Sequence, residues 1–286
     1  MMSPDFALAV RPGEHACCRG AHAGDRERIA AAFVSDSLQR GNKVVYLCDR
    51  DDIDGFVAQL AARDERVEPA IARGQLEVRA ALDICLRDGT FDADRMLGTW
   101  TEELSRALAE GYPALSLTGE MSWALCDEHG VESLAKYEER LGEVMNADGS
   151  IAFLCQYDHG RFQAGTLAEA AAVHDVDVSP ELAEIGRVGR LSAARVRSNS
   201  TLRLAGELDF GCSDTVAAVL DAHYHGELAL DLADLRFVDV AGMRALRGRK
   251  GQPLRITAAS EPVRQLLALL GWDTDPAVEL AGAAAA

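Results

Sequence analysis

The chain has 286 residues, enough for about two domains of ordinary size that each bury a core. Hydrophobic residues make up 48% and charged residues 26%, which excludes wholesale disorder. The formal net charge of −17 disfavours a bulk surface that binds nucleic acid or anionic lipid. No run approaches the roughly twenty apolar residues that span a bilayer. The N-terminal "MMSPDFALAVRPGEH" lacks the basic and apolar regions of a secretory signal. Seven cysteines without framework spacing, several inside apolar runs such as "VVYLCD" and "IAFLCQY", point to a reduced, cytoplasmic setting.

In chain order, apolar residues recur at helical spacing over 24–38, followed by a turn and buried strand in "QRGNKVVYLCD". Residues 52–62 read as helix and "GQLEVRAA" as strand. Residues 92–110 form a long amphipathic helix with Met96, Leu97, Trp100, Leu104 and Leu108 on its inner face. "YPALSLTGEMSW" is strand then turn, 131–145 helix, "SIAFLCQYD" strand and 166–173 helix. Such alternation predicts a largely parallel sheet with helices on both faces. After "HDVDVSPELAEIG" the pattern changes. Strand-like runs near "SAARVRS" and "TLRLAGELDF" flank the polar turn Asn199, Ser200. A helix over 213–224, the strand "ELALDLADL", a short helix over 241–247, the strand "PLRITAA" and the helix "EPVRQLLALLG" complete a small α/β unit. The expected domains are 1–185 and 186–286, divided where Pro, Gly and Arg accumulate. Arg187, Arg190, Arg195, Arg197 and Arg203 read as a solvated basic linker, with a local basic patch as the alternative. The tail "LAGAAAA" has no visible structural task.

In the C-terminal unit, "LAGELDF", "LALDLADLRFVDVAGMRAL" and "EPVRQLLALLGW" together resemble a STAS domain, the anti-sigma factor antagonist family. The resemblance implies a protein partner, an anti-sigma factor kinase or another protein of such a pathway, and a Ser or Thr switch that the kinase phosphorylates. On the motif, Asp239 takes the place of the family's Asp, Gly242 that of its glycine, and Val240, followed by Ala241, that of the phosphoacceptor. Phosphoryl transfer needs a nucleophilic oxygen, and valine has none. The segment "GMRALRGRKGQP" is also shorter than the resemblance leads one to expect, which puts docking to a kinase in question. The nearby hydroxyls Ser213 and Thr215 are candidate substitutes for the phosphoacceptor, with Ser213 expected instead to serve as a helix N-cap.

In the N-terminal unit, "GEHACC", "GQLEVRAA", "GTFDADRML", "EGYPALSLTGEMSWAL", "LAKYEERL", "LCQYDHGRF" and "HDVDVS" occur in an order that resembles a MEDS domain, a sensory module of methanogen and methylotroph proteins. The resemblance covers about 8–180 and implies a RecA/KaiC-like fold used for sensing small molecules rather than for turnover. A phosphate-binding loop would need Gly-x-x-x-x-Gly-Lys-Ser/Thr, whereas "GAHAGDRERIA" places Asp25 and Arg26 after Gly24. Asp25 would repel a γ-phosphate.

His15, Cys17, Cys18 and His22 invite a metal reading, but no second pair of ligands is obvious in the sequence, so no metal and no cofactor is expected. His15 and Cys17 are expected to line a pocket or pack at the sheet edge. The candidate ligand-binding residues are His15, Cys17, Glu120, Trp123, Gln156, Tyr157 and Arg161; of these, Glu120, Gln156 and Tyr157 lie just beyond the C-terminal ends of predicted strands, where open α/β sheets place ligands. Tyr137 and Glu138 belong to the same partly polar set. One alternative places Trp123 and Tyr157 in the core and Glu138 in solvent; a third reading pairs Glu120 with Arg161 in a structural salt bridge.

The fold class is therefore α/β: an N-terminal RecA/KaiC-like, mostly parallel sheet flanked by helices, then a small STAS-like α/β domain. The expected function is non-enzymatic signalling in transcription regulation. A small molecule is sensed by the first domain, and protein–protein binding occurs at the loop Asp239, Val240, Ala241, Gly242 of the second. The alternatives are a scaffold that assembles with other STAS proteins and a nucleotide-binding RecA-like ATPase. No nucleic acid or membrane partner is expected, and the oligomeric state, a homodimer included, stays open.

Overall fold

In the first half of the chain, short apolar runs separated by amphipathic helices fold as the alternation predicts. The computed structural model describes residues 10–19, 23–49, 53–127, 129–187, 189–223, 228–247 and 253–281. These divide into two compact units at Asp177/Val178.

The first unit contains the strands β1 (His15–Cys18), β2 (Lys43–Cys48), β3 (Leu76–Ala80), β4 (Leu115–Glu120), β5 (Ile151–Gln156) and the first two residues of β6 (Val176–Val178). Their order across the sheet is β6, β1, β5, β4, β2, β3, with parallel pairing between β1 and β5, β5 and β4, β4 and β2, and β2 and β3. Every residue of β2, β4 and β5 is buried, which is why they read as near-continuous apolar runs rather than as alternating ones. The helices are α1 (Ala23–Gln39), α2 (Ile53–Arg63), α3 (Val67–Ala72), α4 (Ala81–Cys85), α5 (Ala93–Ala109), α6 (Gly130–Asp148) and α7 (Ala164–Val173).

The period-2 alternation of the strands sorts their side chains into two cores. Val44 and Tyr46 of β2 pack with Val34 and Leu38 of α1 and with Phe56 and Leu60 of α2. Val45 and Leu47 of the same strand join Trp100 of α5, Leu141 of α6, Phe153 of β5 and Leu167 of α7. Full burial of a side chain such as Phe153 is worth about 1.5–3 kcal/mol. Helix α5 begins where Asp92 accepts a hydrogen bond from the Arg95 N–H at 2.9 Å, an N-cap that satisfies one orphan donor. Its buried stripe ends earlier than the sequence predicts. Ala107, in phase with Trp100 and Leu104, is buried, whereas Leu108, rotated about 100° further round the helix, is exposed. Strand β1 runs between β5 and β6, so His15 and Cys17 lie in the sheet interior, not at its edge.

The second unit contains α8 (Pro180–Ile185), β7 (Leu191–Val196), β8 (Thr201–Leu208), α9 (Phe210–His223), β9 (Leu228–Val238), α10 (Val240–Arg247), β10 (Leu254–Ala259), α11 (Glu261–Leu269) and β11 (Val278–Leu280). Strands β7 to β11 lie side by side in sequence order. β7 and β8 are antiparallel, joined at the predicted polar turn, where Ser200 adopts φ 53° and Asn199 Oδ1 accepts the Thr201 N–H. The other pairs are parallel. The core joins Leu204, Leu230, Ile256, Val216, Met243 and Val263.

Three expectations are corrected here. Arg195 and Arg203 belong to paired strands rather than to a linker, and Arg203 is buried in an ion pair with Asp231 at 3.2 Å. Helix α9 starts at Phe210, so Ser213 is inside it and donates its hydroxyl to the Phe210 carbonyl instead of capping. The tail begins with structure: Leu280 pairs with Ile256, and the Ala281 N–H donates to the Ile256 carbonyl at 2.8 Å. His22 and the segment 248–252, on which the shortened stretch after Gly242 depends, lie outside the described residues.

Candidate functional site

Neighbouring residues of β5 point to opposite faces, and this splits the predicted ligand-binding residues between two environments. On the α1 face, Glu120 and Gln156 stand side by side across β4 and β5. Gln156 donates to Thr118 Oγ1 at 2.8 Å and to the Tyr46 hydroxyl at 3.1 Å, and Tyr46 donates to Glu120 at 3.4 Å. Arg26, buried in the first turn of α1, lies 3.9 Å from Glu120 and 3.3 Å from Asp158. Arg161 pairs with Asp49 at 2.9 Å rather than with Glu120, the partner that the salt-bridge alternative gives it. The guanidinium that reaches Glu120 comes from α1.

On the opposite face, four elements bring polar side chains together in the interior. β1 supplies His15, α6 Glu138 and β5 Cys155, while His174 follows the last turn of α7; all four are buried. His15 Nε2 is 3.0 Å and His174 Nε2 3.6 Å from Glu138 Oε2. Cys155 Sγ is 3.4 Å from both His15 Nε2 and Glu138 Oε2. The Tyr157 hydroxyl donates to the other carboxylate oxygen at 2.5 Å. The two imidazole rings lie 3.9 Å apart between centroids. Nδ1 of His174 meets the Ala170 carbonyl at 2.6 Å, whereas His15 Nδ1 and His174 Nε2 are buried without a hydrogen-bond partner.

The electrostatics follow from this packing. Burial works against the Glu138 charge, but the His174 and His15 rings and the Tyr157 hydroxyl outweigh it and hold the carboxyl at about 2. Burial, then the neighbouring His15 ring, pushes His174 down, against the pull of the Glu138 charge. Burial, reinforced by the Glu138 charge, pushes the Cys155 thiol and the Tyr157 phenol well up. Glu138 is therefore no solvated helix residue. It stands in phase with Leu134, Leu141 and Met145 on the buried stripe of α6, a signal already present in the sequence.

A groove of about 270 Å³ runs between α6 and α7. Apolar side chains, among them Val131, Leu134, Ala170 and Val173, make up most of its lining, and Glu138 and Tyr157 contribute to it. Of the seven predicted ligand-binding residues, only Tyr157 lines this groove. Cys17 donates instead to Asp177 at 3.2 Å, beside the Arg19–Asp177 ion pair. Trp123 is core, stacked on Phe91 at 4.5 Å between centroids.

In the second unit, the segment Asp239, Val240, Ala241, Gly242 forms the start of α10. One carboxylate serves two helices: Asp239 Oδ1 accepts the Gly242 N–H at 2.7 Å, and Oδ2 accepts the Phe210 N–H at 2.9 Å at the start of α9. A Cβ on Gly242 would stand 2.4 Å from the Leu208 carbonyl oxygen, so only glycine fits this close approach. Val240 is 38% exposed, and the aromatic side chains Phe210 and Phe237 are 76% and 49% exposed.

The model of the MEDS family (MEthanogen/methylotroph, DcmR Sensory domain) matches residues 14–175, more than half of the chain. The chain belongs to the MEDS family. A second family model, described as "Mlab, STAS domain", matches residues 191–281, so a STAS domain follows the MEDS domain. Two solved structures show similarity in fold. The KaiC-like protein PH0186 from Pyrococcus horikoshii OT3 is 12% identical, with a TM-score of 0.44 over 68% of this chain and 87% of that one. The flagellar accessory protein FlaH from Methanocaldococcus jannaschii is 11% identical, with a TM-score of 0.41 over 65% and 79%. At such identities the likeness carries no statement about chemistry. Comparison with curated proteins finds no match. Among the described residues, no helix is long and apolar enough to cross a membrane.

In the MEDS domain, α1 follows β1 in the chain, and its first turn carries charged side chains rather than the Lys and Ser/Thr of a phosphate-binding motif. Asp25 is buried in the first turn, and Arg26 faces the carboxylates of Glu120 and Asp158. The STAS domain keeps the Asp and Gly of its turn, with a hydrocarbon side chain between them.

Proposed function

We propose that the MEDS domain binds a small, largely apolar molecule in the groove between α6 and α7, and that the STAS domain docks an anti-sigma-type kinase without accepting phosphate and without catalysing a reaction itself. A MEDS domain followed by a STAS domain makes this a regulatory protein, and the STAS domain implies protein–protein interaction. The observation that carries the proposal is Val240: an exposed hydrocarbon at the switch position, flanked by exposed Phe237 and Phe210, on a doubly capped turn. Exposed aromatic groups around a rigid turn are what a protein interface uses as anchors. The groove volume is close to the lower end of the range for small-molecule sites, roughly 300 Å³.

The test measures binding of such a kinase by surface plasmon resonance. The wild-type complex persists when ATP is added, Phe210→Asp weakens it at least tenfold, and Val240→Ser takes up phosphate and dissociates. Release of the wild-type complex with phosphate on the STAS domain, or no complex at all, sinks the docking reading. The groove reading fails if Ala135→Trp leaves ligand-induced thermal shifts with small apolar molecules unchanged.

A further inference from the structure

The polar cluster behind the groove is organised around a point rather than as a chain of hydrogen bonds. Its four atoms, His15 Nε2, Glu138 Oε2, Cys155 Sγ and His174 Nε2, all lie within 4.8 Å of one another. Four of the separations are 3.0, 3.4, 3.4 and 3.6 Å. Zinc bonds of roughly 2.0–2.3 Å to nitrogen, oxygen and sulfur give a tetrahedron with edges of about 3.3–3.8 Å.

Tautomer geometry bears on what the cluster can hold. A carbonyl oxygen only accepts, so Nδ1 of His174 carries the proton that it shares with Ala170. In the neutral ring the Nε2 lone pair faces the Glu138 carboxylate at 3.6 Å, and Nε2 has no hydrogen-bond partner. A metal cation between the two, or a second ring proton, resolves the conflict. A ring whose far nitrogen donates to a backbone carbonyl is also how metal-bound histidines are oriented. Tyr157 holds the second Glu138 oxygen and so leaves Oε2 to the shared centre.

We infer that His15, Glu138, Cys155 and His174 form a site for one zinc ion inside the MEDS domain. On binding, the Cys155 Sγ–H bond breaks, the proton leaves to solvent and the thiolate bonds the metal. Zn²⁺ with one thiolate, one carboxylate and two neutral imidazoles has no net charge, which removes the main penalty of burying the ion. Four protein ligands close the coordination sphere, as in structural rather than hydrolytic zinc sites. A soft thiolate with imidazoles selects zinc over magnesium or calcium. The groove between α6 and α7, to whose lining Glu138 and Tyr157 contribute, is the entry path. The site stands whether or not the groove binds an organic ligand.

The experiment uses the full chain, purified under reducing conditions, stripped with chelator and titrated with Zn²⁺ against a chromophoric competitor. One equivalent binds, and Co²⁺ in its place gives tetrahedral d–d bands with a thiolate charge-transfer band. Cys155→Ser removes the charge-transfer band and His174→Gln weakens binding at least a hundredfold, whereas Cys17→Ser and Cys126→Ser change neither. Should the variants fold poorly, X-ray absorption of the zinc-loaded wild type reads the ligands directly: one sulfur and three nitrogen or oxygen neighbours. Absence of stoichiometric binding, a cobalt spectrum without the thiolate band, or a zinc shell without a single sulfur overturns the inference.

Discussion

Glu138 in the MEDS domain and Asp239 in the STAS domain are both carboxylates that organise their surroundings, and they do so by different physics. Asp239 accepts backbone N–H groups from the starts of two helices, α9 and α10. Its partners are fixed by chain geometry, and the local motif of Asp, two small residues and Gly announces it. Glu138 accepts only side-chain donors, from β1 and from β5 and the residue that follows it, and faces Nε2 of His174 after α7. A backbone-capping carboxylate tolerates change around it, because the helix starts persist without a particular side-chain chemistry. A carboxylate held by side chains in the interior depends on each of them.

The sharpest way to break this contrast is Glu138→Ala. Removing a buried charge while leaving its donors unpaired is expected to cost about 3–5 kcal/mol. Chemical denaturation of the full chain, read through MEDS-domain tryptophan fluorescence, checks it; a cost below about 1 kcal/mol would make Glu138 no more than another core residue. Asp239→Ala removes two caps and is expected to cost about 1–4 kcal/mol, with Asp239→Asn recovering roughly half because one carbonyl oxygen remains. Equal losses for the two variants would mean that charge, not capping, is what Asp239 supplies. Gly242→Ala forces a Cβ towards the Leu208 carbonyl at 2.4 Å and is expected to cost about 1–3 kcal/mol, seen as a lowered Tm of the STAS transition.

The smallest effect comes from Glu77, where the contrast between buried and half-exposed charge can be sharpened. Burial raises its carboxyl, but Lys43 and Arg79 outweigh this and hold it at about 2. Its folded value lies below the unfolded one of about 4.3, so its contribution is complete above that pH and is lost as pH falls towards 2. With Glu77 28% exposed, Glu77→Gln is expected to cost about 1 kcal/mol at pH 7 and progressively less as the pH falls from about 4.3 through about 2. A pH-independent difference in the unfolding midpoints would assign its role to packing.

Much of the fold was legible because its signals are local. The apolar run "KVVYLC" is buried on both faces, and the turn at Asn199 and Ser200 carries the residue types that a left-handed backbone permits. The candidate site was harder. In the sequence Glu120, Gln156 and Tyr157 all stand near strand ends, yet the pleat sends Glu120 and Gln156 to Arg26 and Tyr46, and Tyr157 to Glu138. His174 stood in plain view in "HDVDVS", but nothing local connects it with Glu138. The phase of Glu138 with Leu134 and Leu141 was the one readable hint that this charge is buried.

By itself, then, the sequence determined the strand-and-helix alternation, the order of the two domains and the missing hydroxyl at Val240, because each depends on residues close together along the chain. Only the tertiary structure decided that Asp239 caps two helices, that Arg26 rather than Arg161 approaches Glu120, and that His15, Glu138, Cys155 and His174 share one buried centre. The buried centre joins His15 to His174, 159 positions apart, at separations of a few ångströms, and it is the register of β1 on β5 and the rotation of α6 that bring its residues together.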